Sequence, residues 1–423
     1  MTADREKKST DRLAALYAEA TRGSASARFR LAECYENGWA AERSPAMAEL
    51  WYRAAAESGH ADAAWRLGCL MLGDQSPADP VDAIPWLMRA AVADHAEAQA
   101  LLATCYLRGR GVPVSRREAV RWGMRAATGG SATGRYNLAL CYREGIGVVR
   151  DTERAITLLR QAAEQDHGRA QLTLGRHYAM GEGVEEDRAS AMQWYGRAAY
   201  RGYVKARYNL ALMLLAEGDP ASDRRAMEQL RAAADEGYAK AYYLLATNYR
   251  RGIGVPPDRS RADEYLYLAA SAGLAKAQYR LARQADRSAP DGERSYWKWL
   301  RRAANQGHAK SQYRLGKLVL SCAPIDRPVA LAWLRRAAEA GEQRGAYLLA
   351  LCYAKGLGVE RDRVEAYRWM VIARAAGHER ALGQSLRLAR KLTADTVASI
   401  NLDALEFAAK RRRQRSLKRL QVE

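Results

Sequence analysis

The chain has 423 residues, 68 Lys and Arg against 48 Asp and Glu, a formal net charge of +20 and an apolar fraction of 48%, enough for an extensive core. No apolar run approaches the roughly 18 residues that a membrane-spanning helix needs; the longest is Leu210–Ala216, and the opening MTADREKKST lacks the apolar centre of a secretory signal. A spanning helix and an exported precursor are thereby disfavoured, and a soluble, cytoplasmic protein is expected.

Taken in order, Met1–Thr10 is densely charged and expected to be disordered, and residues 11–24 form a short helix with Leu13, Leu16 and Tyr17 on one face. From residue 25 to residue 378 one layout recurs. His60, His95, Ser131, His167, Tyr203, Tyr238, Leu274, His308, Glu342 and His378 close ten units at intervals of 34 to 36 residues. A fixed internal period outweighs the several-domain prior that length alone would give and points to an array of one supersecondary unit.

The unit is legible in Gln171–Tyr203. Ala170, Leu174 and Tyr178 recur every four residues, with Gly175 beside Leu174, so a first helix (helix A) carries a narrow apolar stripe that a neighbour can approach closely. Gly181-Glu182-Gly183 ends it, and Asp187 is placed to cap a second helix (helix B) bearing Ala191, Trp194, Tyr195, Ala198 and Ala199 on one face. Neither helix buries its stripe alone. The helix A signature returns as LAECY at Leu31, LATCY at Leu102, LALCY at Leu138, LATNY at Leu245 and LALCY at Leu349, and helix B places Trp51, Trp86, Trp122, Trp194, Trp299, Trp333 and Trp369 in one register.

These residues, A-x-A-x-x-x-L-G/A-x-x-Y-x-x-G-x-G-V then Asp, W-Y-x-x-x-A-A and a closing G-H or G-Y, resemble the Sel-one-like repeats of the tetratricopeptide superfamily, most closely at 132–167, 168–203, 239–274 and 345–378. The resemblance implies an all-α, right-handed α-solenoid of about ten antiparallel helix pairs. It also implies a non-enzymatic scaffold or adaptor role in protein complexes, often in bacterial signalling, envelope or secretion pathways. Units around Asp74–Pro80, Glu217–Asp219, Asp286–Gly292 and Ala323–Pro328 lack Gly-x-Gly-Val and are expected to close the A-to-B loop differently. Residues 379–409 read as capping helices, with Leu382, Leu386 and Ala389 continuing a helix A stripe and Thr393 capping a last helix that bears Val397, Ile400, Leu405 and Phe407.

Catalytic chemistry finds no foothold. Five of the six histidines occupy or adjoin the closing turn, His378-Glu379 lacks the second histidine of HExxH, and the Gly-x-Gly turns follow helices rather than strands. Cys34, Cys105, Cys141 and Cys352 share one helix A position and read as small buried apolar residues; no CxxC is present. No cofactor or metal is expected.

Charge is more informative. Residues 1–100 sum to −4 and residues 301–423 to +14, a polarity that suggests an acidic partner for the C-terminal repeats. At about 100° per residue, positions five before, two before and two after the helix A Leu lie opposite the packed stripe. Five before it stand Ser26, Asp62, Glu97 and Thr133, then Arg169, Lys205, Lys240, Lys276, Lys310 and Arg344. Tyr136, Tyr208, Tyr243, Tyr279, Tyr313 and Tyr347 stand two before it; Arg283 and Lys317, with Arg176, two after it; and Arg280, Arg314, Asn137 and Asn209 flank the strip. In the superfamily this face lines a concave groove, which would suit an acidic, partly extended protein segment; a merely solvated helix face fits the same residues. The tail Lys410–Leu420, KRRRQRSLKRL, within residues 410–423, is either a solvated terminus or an attachment to nucleic acid or an anionic surface, so polyanion binding through strip and tail is the alternative function.

Overall fold

The repeat periodicity becomes helix pairs throughout. A computed structural model describes the backbone of residues 2–420 except 74–77, 287, 289 and 323, and the side chains of these residues except 2–11, 322, 324, 408 and 411–420. Among the described residues there are 23 α-helices and no strand. The chain divides into two compact units between Ala206 and Arg207.

The first unit begins with α1 (Thr2–Thr21), whose backbone is helical where charge alone predicted disorder. Five pairs follow: α2 (Ala25–Asn37) with α3 (Pro45–Glu57), α4 (Ala61–Met71) with α5 (Pro80–Val92), α6 (Ala96–Arg108) with α7 (Arg116–Thr128), α8 (Ala132–Glu144) with α9 (Thr152–Glu164), and α10 (Gly168–Met180) with α11 (Arg188–Tyr200). Helix α12 (Val204–Leu215) runs through the division. The second unit continues with α13 (Pro220–Asp235), then pairs α14 (Ala239–Arg251) with α15 (Arg259–Ser271), α16 (Ala275–Gln284) with α17 (Gly292–Asn305), α18 (Ala309–Cys322) with α19 (Arg327–Glu339) and α20 (Gln343–Lys355) with α21 (Arg363–Ala375). Helices α22 (Ala381–Ala389) and α23 (Ala394–Leu420) follow the last pair.

Within each unit the stripe residues form the core. Leu31, Leu67, Leu102 and Leu174 from helices A, and Tyr52, Leu87 and Leu159 from helices B, are fully buried in the first unit; Leu245, Leu230 and Leu266 are their counterparts in the second. Each such leucine contributes about 1.5–3 kcal/mol by leaving water. Small residues set the helix spacing: a Cβ on Gly175 would stand 2.8 Å from the Tyr195 ring, and one on Gly68 2.5 Å from Leu87. Cys105, Cys141 and Cys352 are buried, Cys34 half-buried, and burial pushes the Cys352 thiol up to about 11, so it stays a neutral packing group.

A polar fastening, unread in the sequence, joins consecutive repeats. The buried amides of Gln99, Gln171, Gln278 and Gln312 donate through Nε2 to the carbonyls of Ala91, Ala163, Ala270 and Ala304, at 2.9 to 3.1 Å. Each adds a second hydrogen bond to a last-turn carbonyl of the preceding helix B, which also accepts the N–H of Asp94, Asp166, Gly273 or Gly307. Helix B tryptophans are covered by an arginine three residues later: Arg125 over Trp122, Arg197 over Trp194, Arg302 over Trp299 and Arg336 over Trp333, at 4.7 to 5.3 Å. Part of the positive charge is thus framework.

The turns follow their chemistry. Asp187 accepts the Ser190 N–H at 3.1 Å, as expected of a helix B cap. Gly252 ends α14 in the left-handed region at φ +72°, and Gly254, at φ +70°, lies against the preceding repeat, where a Cβ would meet the Asp223 carbonyl at 2.5 Å. Where Gly-x-Gly is missing, Asp79 and Asp219 still cap α5 and α13, whereas α17 and α19 begin without a side-chain cap and a 3-10 turn, Pro324–Asp326, leads into α19.

One expectation is corrected at the C-terminal end. Leu382 and Leu386 are 53% and 54% exposed, and Leu405 is 66% exposed. The face of α22 that packs carries Ala381 and Ser385 instead: these stand three and seven residues after His378, as the buried Ala170 and Leu174 stand after His167, so the packed register of helix A continues and Leu382 and Leu386 lie one residue off it. Thr393 does cap α23, accepting the Thr396 N–H at 3.4 Å, and Ile400 and Ala404 are buried against the last pair.

Two glycines at positive φ separate backbone strain from steric contact. Gly254→Ala is expected to lower the urea midpoint of the second unit well beyond Gly273→Ala, whose Cβ at φ +93° meets nothing within 4 Å; left-handed strain alone costs about 1–2 kcal/mol. Equal midpoints in urea unfolding followed by circular dichroism would contradict the role given to the Asp223 contact.

Candidate functional site

The residue that opens each helix A decides how repeats are coupled. His60, His95, His167 and His308 are not merely turn residues: each caps a helix, its Nδ1 accepting the N–H of Ala63, Ala98, Ala170 or Ser311 at 3.1 to 3.3 Å. The cap ring also lies on the aromatic residue two before the Leu of the preceding repeat. Ring centroids are 4.9 Å apart for Tyr136–His167 and Tyr279–His308, 4.1 Å for Tyr347–His378 and 5.4 Å for the edge-on pair Tyr208–Tyr238. Four strip tyrosines are therefore half-buried joints between repeats rather than open rings. The signal for this was present in the sequence as a pairing of Phe29 with His60 and Trp65 with His95, which stack in the same way.

Two strip tyrosines face a cap that has no ring. Tyr243, opposite Leu274, lies under Lys276 Nζ at 4.9 Å and the Arg280 guanidinium at 5.9 Å. Tyr313, opposite Glu342, is the strip tyrosine with neither ring nor cation stacked on it among the described residues. Arg314 covers Tyr279 at 5.7 Å. Asn137 donates to Thr104 at 3.0 Å. Arg176 is largely buried and paired with Glu182 at 3.5 Å, so it leaves the exposed strip.

The charged ladder occupies the second position of each helix A. Helix macrodipoles favour anions there, and the first unit complies: Asp62 Oδ1 lies 3.1 Å from His95 Nε2, and Glu97 accepts from Ser131 Oγ at 2.6 Å. From α10 onward the position carries Arg169, Lys205, Lys240, Lys276, Lys310 and Arg344 instead, all exposed except the half-buried Lys240. Arg169 and Lys205 belong to the first unit; the other four lie in the second. Among the described residues, the ion pairs of the second unit, Arg207–Glu236, Arg250–Asp263, Arg261–Asp258 and Arg368 with Glu365 and Asp403, include none of the strip cations.

In the last repeats the strip opens into two recesses of about 540 and 530 Å³ that share Tyr313, Gln343 and Arg344. Arg283, Lys310 and Arg314 with the carboxylate of Glu342 line one, and Lys317, Tyr347, His378, Glu379 and Arg380 the other. Structure thus brings together Tyr279, Arg283, Lys310, Tyr313, Arg314, Lys317, Arg344 and Tyr347. Asn209 and Tyr208, in α12, line neither recess. Among the described residues no cluster of His, Cys, Asp and Glu is placed to hold a metal, and no helix is long and apolar enough to cross a membrane.

Helix pairs coupled end to end within each unit define an α-solenoid repeat protein of the tetratricopeptide-like class. The Sel1 repeat model matches residues 25–60, 61–95, 96–131, 132–167, 168–203, 204–238, 239–274, 275–308, 309–342 and 343–378, and the chain belongs to that family. Proteins of this family generally serve as scaffolds for protein interactions. A Sel1 repeat protein from Oxalobacter formigenes is 27% identical, with a TM-score of 0.50 over 57% of this chain and 96% of that one. A protective antigen of uropathogenic Escherichia coli with an SLR fold is 28% identical, with a TM-score of 0.46 over 96% of this chain and 97% of that one. No curated protein matches the chain.

The histidine caps make stability acid-sensitive. Burial, then Arg169, lowers the pKa of His167; burial, then Lys310 and Lys276, lowers that of His308. Below the unfolded value of about 6.5 the unfolded chain binds more protons than the folded one, so these caps stabilise fully above that pH and less as pH falls toward the folded pKa. Melting temperature should drop between pH 7.5 and 5.5, and His308→Asn, which keeps a capping oxygen without titrating, should flatten that slope.

Proposed function

We propose that this chain is a non-catalytic scaffold that holds an acidic, extended segment of a protein partner along the helix A face of its second unit. One observation carries the reading: successive helix A N-termini bear a cation, in no ion pair among the described residues, where the macrodipole favours an anion. Each such placement costs about 0.3–1 kcal/mol of stability, and local rules are broken in this way where binding requires it. Cation and helix N-terminus present the same sign of potential to a ligand, so a carboxylate is attracted by both. Cation-bearing tyrosines at Tyr243 and Tyr279 hold these groups beside a flat apolar surface. Lys240, Lys276, Arg280, Arg283, Lys310, Arg314, Lys317 and Arg344 are the residues assigned to the partner.

Lys276→Glu/Lys310→Glu/Arg344→Glu, which spares Arg314 because it covers the Tyr279 ring, tests the reading. An acid at these positions suits the helix dipole, so the variant should melt no lower than the parent while losing the partner recovered by crosslinked pull-down from the native cell. Undiminished recovery sinks the reading.

Salt separates a peptide partner from a polyphosphate. Binding to nucleic acid should weaken steeply and log-linearly with salt through counterion release, whereas the complex proposed here should keep a substantial salt-resistant part between 0.05 and 0.5 M NaCl, values chosen to span about a decade of ionic strength.

A further inference from the structure

The last two helices leave apolar surface open where every repeat closes it. The residue after the helix A leucine is Gly or Ala in all ten repeats, from Ala32 to Ala350. Small residues are needed there because the repeat's own helix B lies close: a Cβ on Gly68, Gly175 or Gly316 would meet Leu87, Tyr195 or Leu334 at 2.5 to 2.9 Å. Counted from His378, the same position in α22 is Leu386. Among the described residues no helix covers it. Helix α23, next in the chain, packs on α21 instead, through Ile400 and Ala404, with Tyr367 donating to Asn401 at 3.3 Å and Arg368 standing 3.7 Å from Asp403, and it scarcely touches α22. Leu382 and Leu386 are left more than half exposed.

Helix α23 has an open face of its own. Ala398, Leu402, Leu405 and Ala409, at spacings of four, three and four, line the side of the helix away from Ile400 and Ala404, and all four are exposed. Contiguous exposed apolar surface of this kind marks an interaction site. The two faces differ in charge: exposed Arg387 and Arg390 flank the leucines of α22, and exposed Asp395 and Glu406 flank those of α23.

We propose that two copies of this chain associate through this end about a twofold axis, the α22 face of each packing on the α23 face of the other. A twofold interface uses one patch on both copies, so the patch must complement itself. A basic apolar helix followed directly by an acidic apolar one does so, whereas α22 on α22, or α23 on α23, opposes like charges at these positions. The second copy's α23 then takes the place beside α22 that a helix B holds in the repeats, and its alanines leave room for Leu386. The surface is separate from the helix A strip, and the association stands or falls independently of what the strip binds.

Sedimentation equilibrium of the full chain across a concentration series tests this. The parent should reach twice its 46.9 kDa. Leu382→Ser/Leu386→Ser, at exposed positions and with an unchanged melting temperature, should weaken the dissociation constant at least about a hundred-fold, because a twofold interface loses each leucine twice. Arg387→Glu/Arg390→Glu and Asp395→Lys/Glu406→Lys should each weaken self-association, form a dimer when mixed, and dimerise again when all four changes are combined in one chain. A monomeric parent overturns the proposal, and so does a mass that climbs past the dimer with concentration, the mark of a head-to-tail contact. A dimer indifferent to the leucine change, or charge variants that stay apart when mixed, places the contact elsewhere and overturns it as well.

Discussion

A helix pair of this length cannot bury its own apolar stripe, so within each unit a repeat is completed by the next, and the junction between them is the N-terminus of helix A. Four interactions meet at that junction. The cap residue satisfies the first N–H groups, its ring lies on the tyrosine or tryptophan of the preceding repeat, the glutamine amide reaches back to a last-turn carbonyl of helix B, and the Leu stripe closes behind them. Such buried polar fastenings fix one register, because a slipped pair would leave a buried amide donor unmet. Framework and function share this junction, since the same turn that joins repeats also carries the charged residue at the second helical position.

That sharing explains why the charged strip divides as it does. In the first unit the acids at this position bond to the following cap, Asp62 to His95 and Glu97 to Ser131, and are absorbed by the framework. When the position turns basic, no bond joins it to the following cap among the described residues, and burial beside Lys276 and Lys310 lowers the pKa of His308. Sign alone therefore converts a joint into an exposed ladder. Basic residues elsewhere are spoken for differently: Arg197, Arg302 and Arg336 cover tryptophans, and Arg176 pairs with Glu182.

Much of this was legible before any coordinates. Ten units, their helix pairs, the Asp187 type of cap and the close approach at Gly175 follow from spacing and residue chemistry, and so do the exposed positions of Lys276, Lys310 and Arg344, because a helical period fixes which residues share a face. Angular position does not say what a neighbouring repeat lays on that face. Tyr279 and Tyr347 fall on the strip by period and are nevertheless half-buried under the rings of His308 and His378. Leu382 and Leu386 failed for a simpler reason: counted from the closing His378, the packed positions of the repeat fall on Ala381 and Ser385, one residue before each leucine.

The sequence by itself determined the repeat, its number and the change of charge at Arg169, because each is a local pattern repeated along one chain. Tertiary structure decided which of those residues remain available. Contacts between residues some thirty positions apart, such as Tyr136 with His167, occupy some rings and leave Tyr313 free, and only the stacking of repeats closes the two recesses around Gln343 and Arg344. Local periodicity fixes direction on a helix; what a side chain meets there depends on the next repeat.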